Sequence, residues 1–149
     1  GMVDSVAVAR DAVEAMVPIV YRSGHSIAFE EPDEPPRRVR GVAELLQIAI
    51  ANLIDNAVRH TPPGSAIVVS AAADGCLTVE DDGPGLAVDA RDTAARRFRR
   101  GDTARSDSAG LGLSIVERIL GVCGGSLETG SSPAGGALLR LRLDATPLP

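Results

Sequence analysis

From Glu44 to His60 the chain is built of helix formers with neither glycine nor proline among them. Such a run commits this segment to a helix. Leu46, Ala49, Ile50, Leu53 and Ala57 recur on one face and supply a stripe that must meet a core. Asn52 and Asn56, four residues apart, stack one turn above the other. Their amide oxygens can ligate magnesium and their NH groups can donate to phosphate, although the same pair suits a solvated surface or a cap. Thr61-Pro62-Pro63-Gly64 ends the helix, because proline excludes the αR conformation before it and lacks a donor. Arg59, in the last turn, is either a dipole-favoured surface cation or a phosphate contact.

Two further motifs follow in order. Cys76 to Asp81 is β-prone and stops at Asp82-Gly83-Pro84-Gly85, where Gly83 and Gly85 allow the backbone to approach a flat ligand. Asp81, at the strand's end, can accept from an exocyclic amine such as adenine N6, and an ordinary polar turn would read the same way. Ser108-Ala109-Gly110-Leu111-Gly112-Leu113 then leads from a glycine-bearing loop into an amphipathic helix, whose free NH groups and dipole suit a polyphosphate. The chain contains no lysine, which excludes a Walker-type NTPase.

In this order and spacing the residues resemble the ATP-binding catalytic domain of bacterial sensor histidine kinases, within the group that includes gyrase, heat-shock chaperone and mismatch-repair ATPases. Asn52 and Asn56 match the family's N box, Asp81, Gly83 and Gly85 its G1 box, and Gly110 and Gly112 its G2 box. Arg96 to Asp102 is similar to the F box that opens a mobile ATP lid, and Gly124-Gly125 with Gly135 to Leu143 to the last hairpin. The resemblance covers nearly the whole chain. It implies a Bergerat-type ATP-binding fold with ATP and Mg2+ as cofactors. It assigns Asn52 to magnesium, Asn56 and Arg59 to the phosphates, and Asp81 to adenine N6, and it places His60 near the base. Gly110-Leu111-Gly112-Leu113 closes over the phosphates through its backbone, and Arg100 matches a lid arginine that approaches the γ-phosphate. Arg100 and Asn52 are the expected catalytic residues. Ala95, Arg96, Ser108 and Cys123 depart from the family's usual residues.

Ile48 bears on the reaction. The gyrase-like and chaperone-like relatives place a water-activating glutamate four residues before the first asparagine, and isoleucine cannot act as a general base. Transfer to a protein nucleophile is therefore expected, which in the resembled kinases is a histidine nitrogen. Neither His25, which opens a strand and reads as a polar strand end, nor His60 has the family's acceptor context. The acceptor is expected on a separate helical hairpin of the same or partner subunit, with a response regulator downstream. Two other readings stay open. One is an anti-sigma-factor serine kinase of the same fold, and the other a nucleotide-responsive docking module whose catalysis has decayed.

The 149 residues, 44% hydrophobic, suffice for one core, so residues 1–149 are expected to form one module cut from a longer sensor kinase. A net charge of −5 gives no global basic field, and nucleic acid is not an expected partner. Cys76 and Cys123 lie in no metal-like spacing. No apolar run is long enough to cross a bilayer, and the cysteine pattern without a signal peptide gives the expectation of a cytoplasmic fragment. The resemblance implies a monomeric fragment, since the resembled kinases dimerise through their helical hairpin, and a membrane-anchored parent.

The coarse pattern is a helix from Val3 to Tyr21 that Pro18 is expected to bend or shorten, and strands at Ser26–Phe29, Arg38–Arg40, Ala66–Ala72, Cys76–Glu80, Ser126–Glu128 and Leu138–Leu143. Asp89 to Ala109 is the expected lid. Three helices on one face of a mixed sheet of about five strands make an α/β (α+β) two-layer sandwich.

Overall fold

The computed structural model describes residues 1–83 and 107–145, with side chains in the second stretch described from Gly112 onward. In chain order the elements are β1 (Met2–Asp4), α1 (Ser5–Arg22), β2 (Ser26–Glu30), β3 (Arg38–Arg40), α2 (Ala43–Arg59), β4 (Ala66–Ala71), β5 (Leu77–Asp81), α3 (Asp107–Cys123), β6 (Ser126–Ser131) and β7 (Ala137–Arg142).

The first helix starts later than its apolar pattern suggests. Asp4 caps it, Oδ1 accepting from Val6 N at 2.9 Å and Ala7 N at 3.2 Å, which satisfies two of the donors that a helix start leaves free. Val3 thereby falls outside the helix and pairs in β1, antiparallel to β3, with Val3 opposite Val39. The helix runs through Pro18 to Arg22 without being shortened. Eight buried residues from Ser5 to Val20 hold it on the core, against a proline cost of about 3 kcal/mol.

Five strands form the main sheet in the order β2-β4-β5-β7-β6. β2 runs parallel to β4, and the other neighbours are antiparallel. Arg38–Arg40 forms a strand where expected, but in the separate two-stranded sheet with β1. The two-residue side-chain period decides the faces. Ile67, Val69, Ala71, Leu77, Val79, Leu139 and Leu141 are buried, and the register aligns Val69 with Val79 and Val79 with Leu139. On the opposite face Glu128 bridges to Arg140 at 3.6 Å and Arg142 at 3.7 Å. The alternation of Leu139 and Leu141 with Arg140 and Arg142 is therefore that of a sheet with one wet face.

All three helices lie on the apolar side. α1 packs over β2 and β4, α2 over β4 and β5, and α3 over β6, with α2 between the other two. The helix bearing both asparagines is thus the central one, above the strand that ends in Asp81. Leu46, Ile50, Leu53 and Ile54 are fully buried at this junction. Among the described residues no helix is long and apolar enough to cross a membrane.

The β4–β5 hairpin closes through Asp74, whose carboxylate accepts from Cys76 N at 2.9 Å. That bond holds its carboxyl below the usual carboxylate value of 3.8. A depressed folded pKa stabilises the native state above the unfolded pKa, and the contribution is lost as pH falls through the folded value. The stability gap between the native chain and Asp74→Asn should therefore be constant above about pH 5 and close below about pH 3.8 in acid titrations of denaturant unfolding. Leu53→Ala should lower the unfolding free energy by about 2–5 kcal/mol in the same assay. Ile48→Ala, at a position 46% exposed, should change it by less than about 0.5 kcal/mol.

Candidate functional site

Asp81 is the polar member of an otherwise apolar row. Leu77, Val79 and Asp81 alternate onto the core-facing side of β5, and Asp81 is only 7% exposed. A carboxylate can be buried at such a place when donors meet it. Its Oδ1 accepts from Gly83 N at 3.1 Å and from Ala137 N at 3.2 Å, and its carbonyl oxygen accepts from the Ser132 hydroxyl at 2.6 Å. Among the described residues both carboxylate bonds fall on Oδ1. Oδ2 carries no hydrogen bond among the described residues.

Two glycines are required around it. A Cβ on Gly83 would stand 2.6 Å from Thr61 Cγ2, and one on Gly136 would stand 2.1 Å from the Asp81 carbonyl oxygen. The backbone approaches closely at both places because nothing projects. Asp82 turns the other way. Its Oδ1 accepts from Ala66 N at 2.6 Å and its own NH donates to Ala66 O at 3.2 Å, which fastens the end of β5 to the start of β4.

The asparagines of α2 face this end of the sheet with different partners. Asn52 donates from Nδ2 to Ile48 O at 2.8 Å, which fixes the carboxamide and aims Oδ1 elsewhere. A Cβ on Gly112 would lie 3.4 Å from that Oδ1, so the first asparagine and the second glycine of Gly110-Leu111-Gly112 meet in space. Asn56 Oδ1 is buried with no hydrogen-bond partner among the described residues. An orphaned carbonyl in such a position suits a site that a polar ligand or its water completes. A single neutral amide oxygen at Asn52 can contribute to a magnesium shell whose remaining ligands are phosphate and water. No cluster of three acidic, histidine or cysteine side chains that could hold a metal by itself occurs among the described residues.

Arg59 pairs with Asp55 across one helical turn at 2.7 Å, both half-exposed. His60 is the exposed C-cap of α2, its NH donating to Asn56 O at 3.1 Å. Leu113 is fully buried in the core, so its side chain is closed to a ligand. The helix α3 begins at Asp107, ahead of the expected loop-to-helix passage. Gly110 and Gly112 are therefore helical, and Asp107 to Ala109 belong to α3 and not to the expected lid. Burial of Leu113, Val116 and Leu120 offsets the roughly 1 kcal/mol that each helical glycine costs. Gly85, Arg96 to Asp102 and, with them, Arg100 lie outside the described residues.

His25, expected as a polar strand end, is instead buried at 6% exposure. Its Nδ1 faces Ser23 O at 3.0 Å and its Nε2 faces the Thr61 hydroxyl at 2.8 Å, while Thr61 donates to Ala57 O at 2.7 Å. It ties the end of α2 to the loop before β2. Ser132, Thr61 and Asp82 were not read as site residues from the sequence. Each is a small polar residue in a turn, and the pairing of distant segments gives it the partner that ties it to the site.

A family model described as histidine kinase-, DNA gyrase B- and HSP90-like ATPase matches residues 41–147. The chain is 41% identical over 92 residues to the sensor protein QseC of Escherichia coli K12, covering 62% of this chain and 20% of QseC. With the sensor-like histidine kinase SenX3 of Mycobacterium tuberculosis it shares 35% identity over 136 residues, 83% of this chain and 33% of that protein. It therefore spans no more than about a third of these curated relatives. The solved ATP-binding domain of PrrB from Mycobacterium tuberculosis superposes with a TM-score of 0.72 at 26% identity, covering 98% of this chain and 97% of that one. The paired asparagines, the buried strand-end aspartate and the glycines that crowd it thus sit in a chain that belongs to the histidine kinase-, DNA gyrase B- and HSP90-like ATPase family, as a catalytic ATP-binding domain of the sensor histidine kinase kind.

Proposed function

We propose that this module binds Mg-ATP and donates its γ-phosphoryl group to a histidine on a separate phosphoacceptor hairpin, of the same or a partner subunit, in a two-component relay. The observation that carries the reading is Asp81. It is a buried carboxylate with one oxygen held by two backbone NH groups and the other left for a base amine. Asn56 supports it with a buried oxygen that lacks a partner, and Asn52 with an oxygen turned toward Gly112.

In this reading Asp81 Oδ2 accepts from adenine N6 and Gly83, with Gly85 beyond it, lets the ring lie against the backbone. His60 flanks the base. Asn56 holds the phosphates, and Arg59 does so on leaving Asp55. Asn52 Oδ1 would hold a magnesium ion, which would supply charge neutralisation during transfer. Gly110 and Gly112, within the first two turns of α3, let the phosphates lie close to the start of that helix, where the first NH groups are free. The acceptor imidazole nitrogen attacks the γ-phosphorus as the bond to the β-bridging oxygen breaks, and ADP leaves. Ile48 offers no carboxylate to activate water in its place. Positioning and electrostatics then dominate the rate, and Arg100 is assigned to the charge that spreads over the transferring group. A response regulator would take the phosphoryl group onward, and the parent would be a membrane-anchored sensor with this module in the cytoplasm. The relatives named as a sensor protein and a sensor-like histidine kinase support a place in a sensor kinase.

Calorimetric titration of ATP with magnesium tests the site. Asp81→Ala should weaken binding by about 10-fold to 100-fold, the worth of a hydrogen bond to a charged group. Asn52→Ala should weaken magnesium-dependent binding while leaving magnesium-free ATP binding nearly unchanged. Magnesium titrated without nucleotide should give no saturable heat, since the protein provides one neutral oxygen and no acidic cage among its described residues. ATP binding unaffected by Asp81→Ala would remove the base-reading assignment. Arg100→Ala, assayed with a phosphoacceptor hairpin, should reduce transfer by about 10-fold or more with ATP affinity within about twofold. Equal losses in both would end its catalytic role.

A further inference from the structure

We infer that Ser132, in the turn between β6 and β7, is a positioning residue that sets the selectivity for an adenine base by holding Asp81 in place; this rests on the reading of Asp81 as acceptor for the base amine. Ser132 lies in a Ser-Ser-Pro-Ala-Gly-Gly turn with no sequence mark of a site, yet it is only 6% exposed. Its hydroxyl is fully used. It donates to Asp81 O at 2.6 Å and accepts from Gly136 N at 2.9 Å.

The same turn meets Asp81 twice more. Ala137 N donates to Oδ1 at 3.2 Å, and Gly136 packs so closely that a Cβ there would stand 2.2 Å from Oδ1. The turn is itself closed by Gly135 N to Ser132 O at 3.0 Å and Ser132 N to Gly136 O at 2.8 Å. Ser132 therefore links the main chain of Asp81 to the turn whose NH groups orient its side chain. Both carboxylate bonds among the described residues fall on Oδ1, one from Ala137 of this turn and one from Gly83, so the turn helps to set which oxygen faces the ligand.

Loss of the hydroxyl leaves Asp81 O and Gly136 N without that partner and frees the turn to shift against the carboxylate. The effect falls on recognition of the base amine. The phosphate end, at Asn52, Asn56 and Gly112, shares no hydrogen bond with these groups among the described residues. Selectivity is the readout that separates this role from a purely structural one, because a loosened fold weakens all nucleotides alike.

The test compares binding of ATP with that of inosine triphosphate, which carries a carbonyl in place of the N6 amine, in the full chain with magnesium. Asp81→Ala should remove most of the preference for ATP, roughly 10-fold or more. Ser132→Ala should reduce the preference by at least about threefold, with affinity for inosine triphosphate held within about twofold, and Ser132→Thr should restore it. Equal loss of both nucleotides in Ser132→Ala, or an unchanged preference in it while Asp81→Ala loses the preference, would overturn the inference. An unchanged preference in Asp81→Ala would overturn the base-reading assignment itself and the role of Ser132 with it. If Ser132→Ala gives no cooperative thermal transition, Ser132→Cys, close in size and only a weak donor, takes its place in the same comparison.

Discussion

A carboxylate placed on the core side of a sheet must be met by donors or it will not be tolerated there, and the site of this protein is organised around that requirement. Asp81 occupies a row with Leu77 and Val79. The donors come from its own turn, at Gly83, and from the β6–β7 turn, at Ala137, with Ser132 on its carbonyl. Gly83 and Ala137 meet the carboxylate itself, and Ser132 ties its main chain to the β6–β7 turn. The glycines at 83 and 136 follow from the same crowding, since a side chain at either would collide with Thr61 or with Asp81 itself.

The register of the sheet and the placement of α2 set that local arrangement beside the asparagine helix. β5 has β4 and β7 as neighbours, and α2 lies over β4 and β5 on the apolar side. Burial of Leu46, Ile50, Leu53 and Ile54 fixes the rotation of α2 about its axis. Asn52 and Asn56 then stand at the edge of the buried stripe, partly covered and close to the start of α3. The hydrophobic contacts therefore aim the polar groups, while the carboxamides themselves add little to holding the helix. The likeness to sensor kinase domains is a likeness of this scaffold and of the groups it aims.

Much of this was legible in the residues. The α2 helix, its core stripe and its stop at Pro62-Pro63 follow from period and proline chemistry, and the structure places the helix within one residue at each end. The mixed sheet with three helices on one face follows from the order of elements. Where the reading departs, the cause is a non-local partner. Val3 carries the apolar pattern of α1, but the Asp4 cap and the strand pairing with Val39 draw it out of the helix. His25 reads as a polar strand end, yet Thr61 and Ser23 oxygens bury it. Gly110 and Gly112 read as loop glycines because of their low helix propensity, and the buried face of α3 outweighs that preference.

The sequence by itself determined the ATP-site vocabulary: two asparagines one turn apart, an aspartate at a strand end before glycines, and Gly-x-Gly before a helix. Each of these depends on bonds between near neighbours or on the period of a single element, and such properties are written in adjacent residues. Only the tertiary structure decided which oxygen of Asp81 is engaged, that Asn52 meets Gly112, and that a serine 51 positions away bonds the Asp81 carbonyl oxygen. Those facts depend on strand register and on how helices sit over the sheet. Packing of the whole core sets both, and no short segment carries that information.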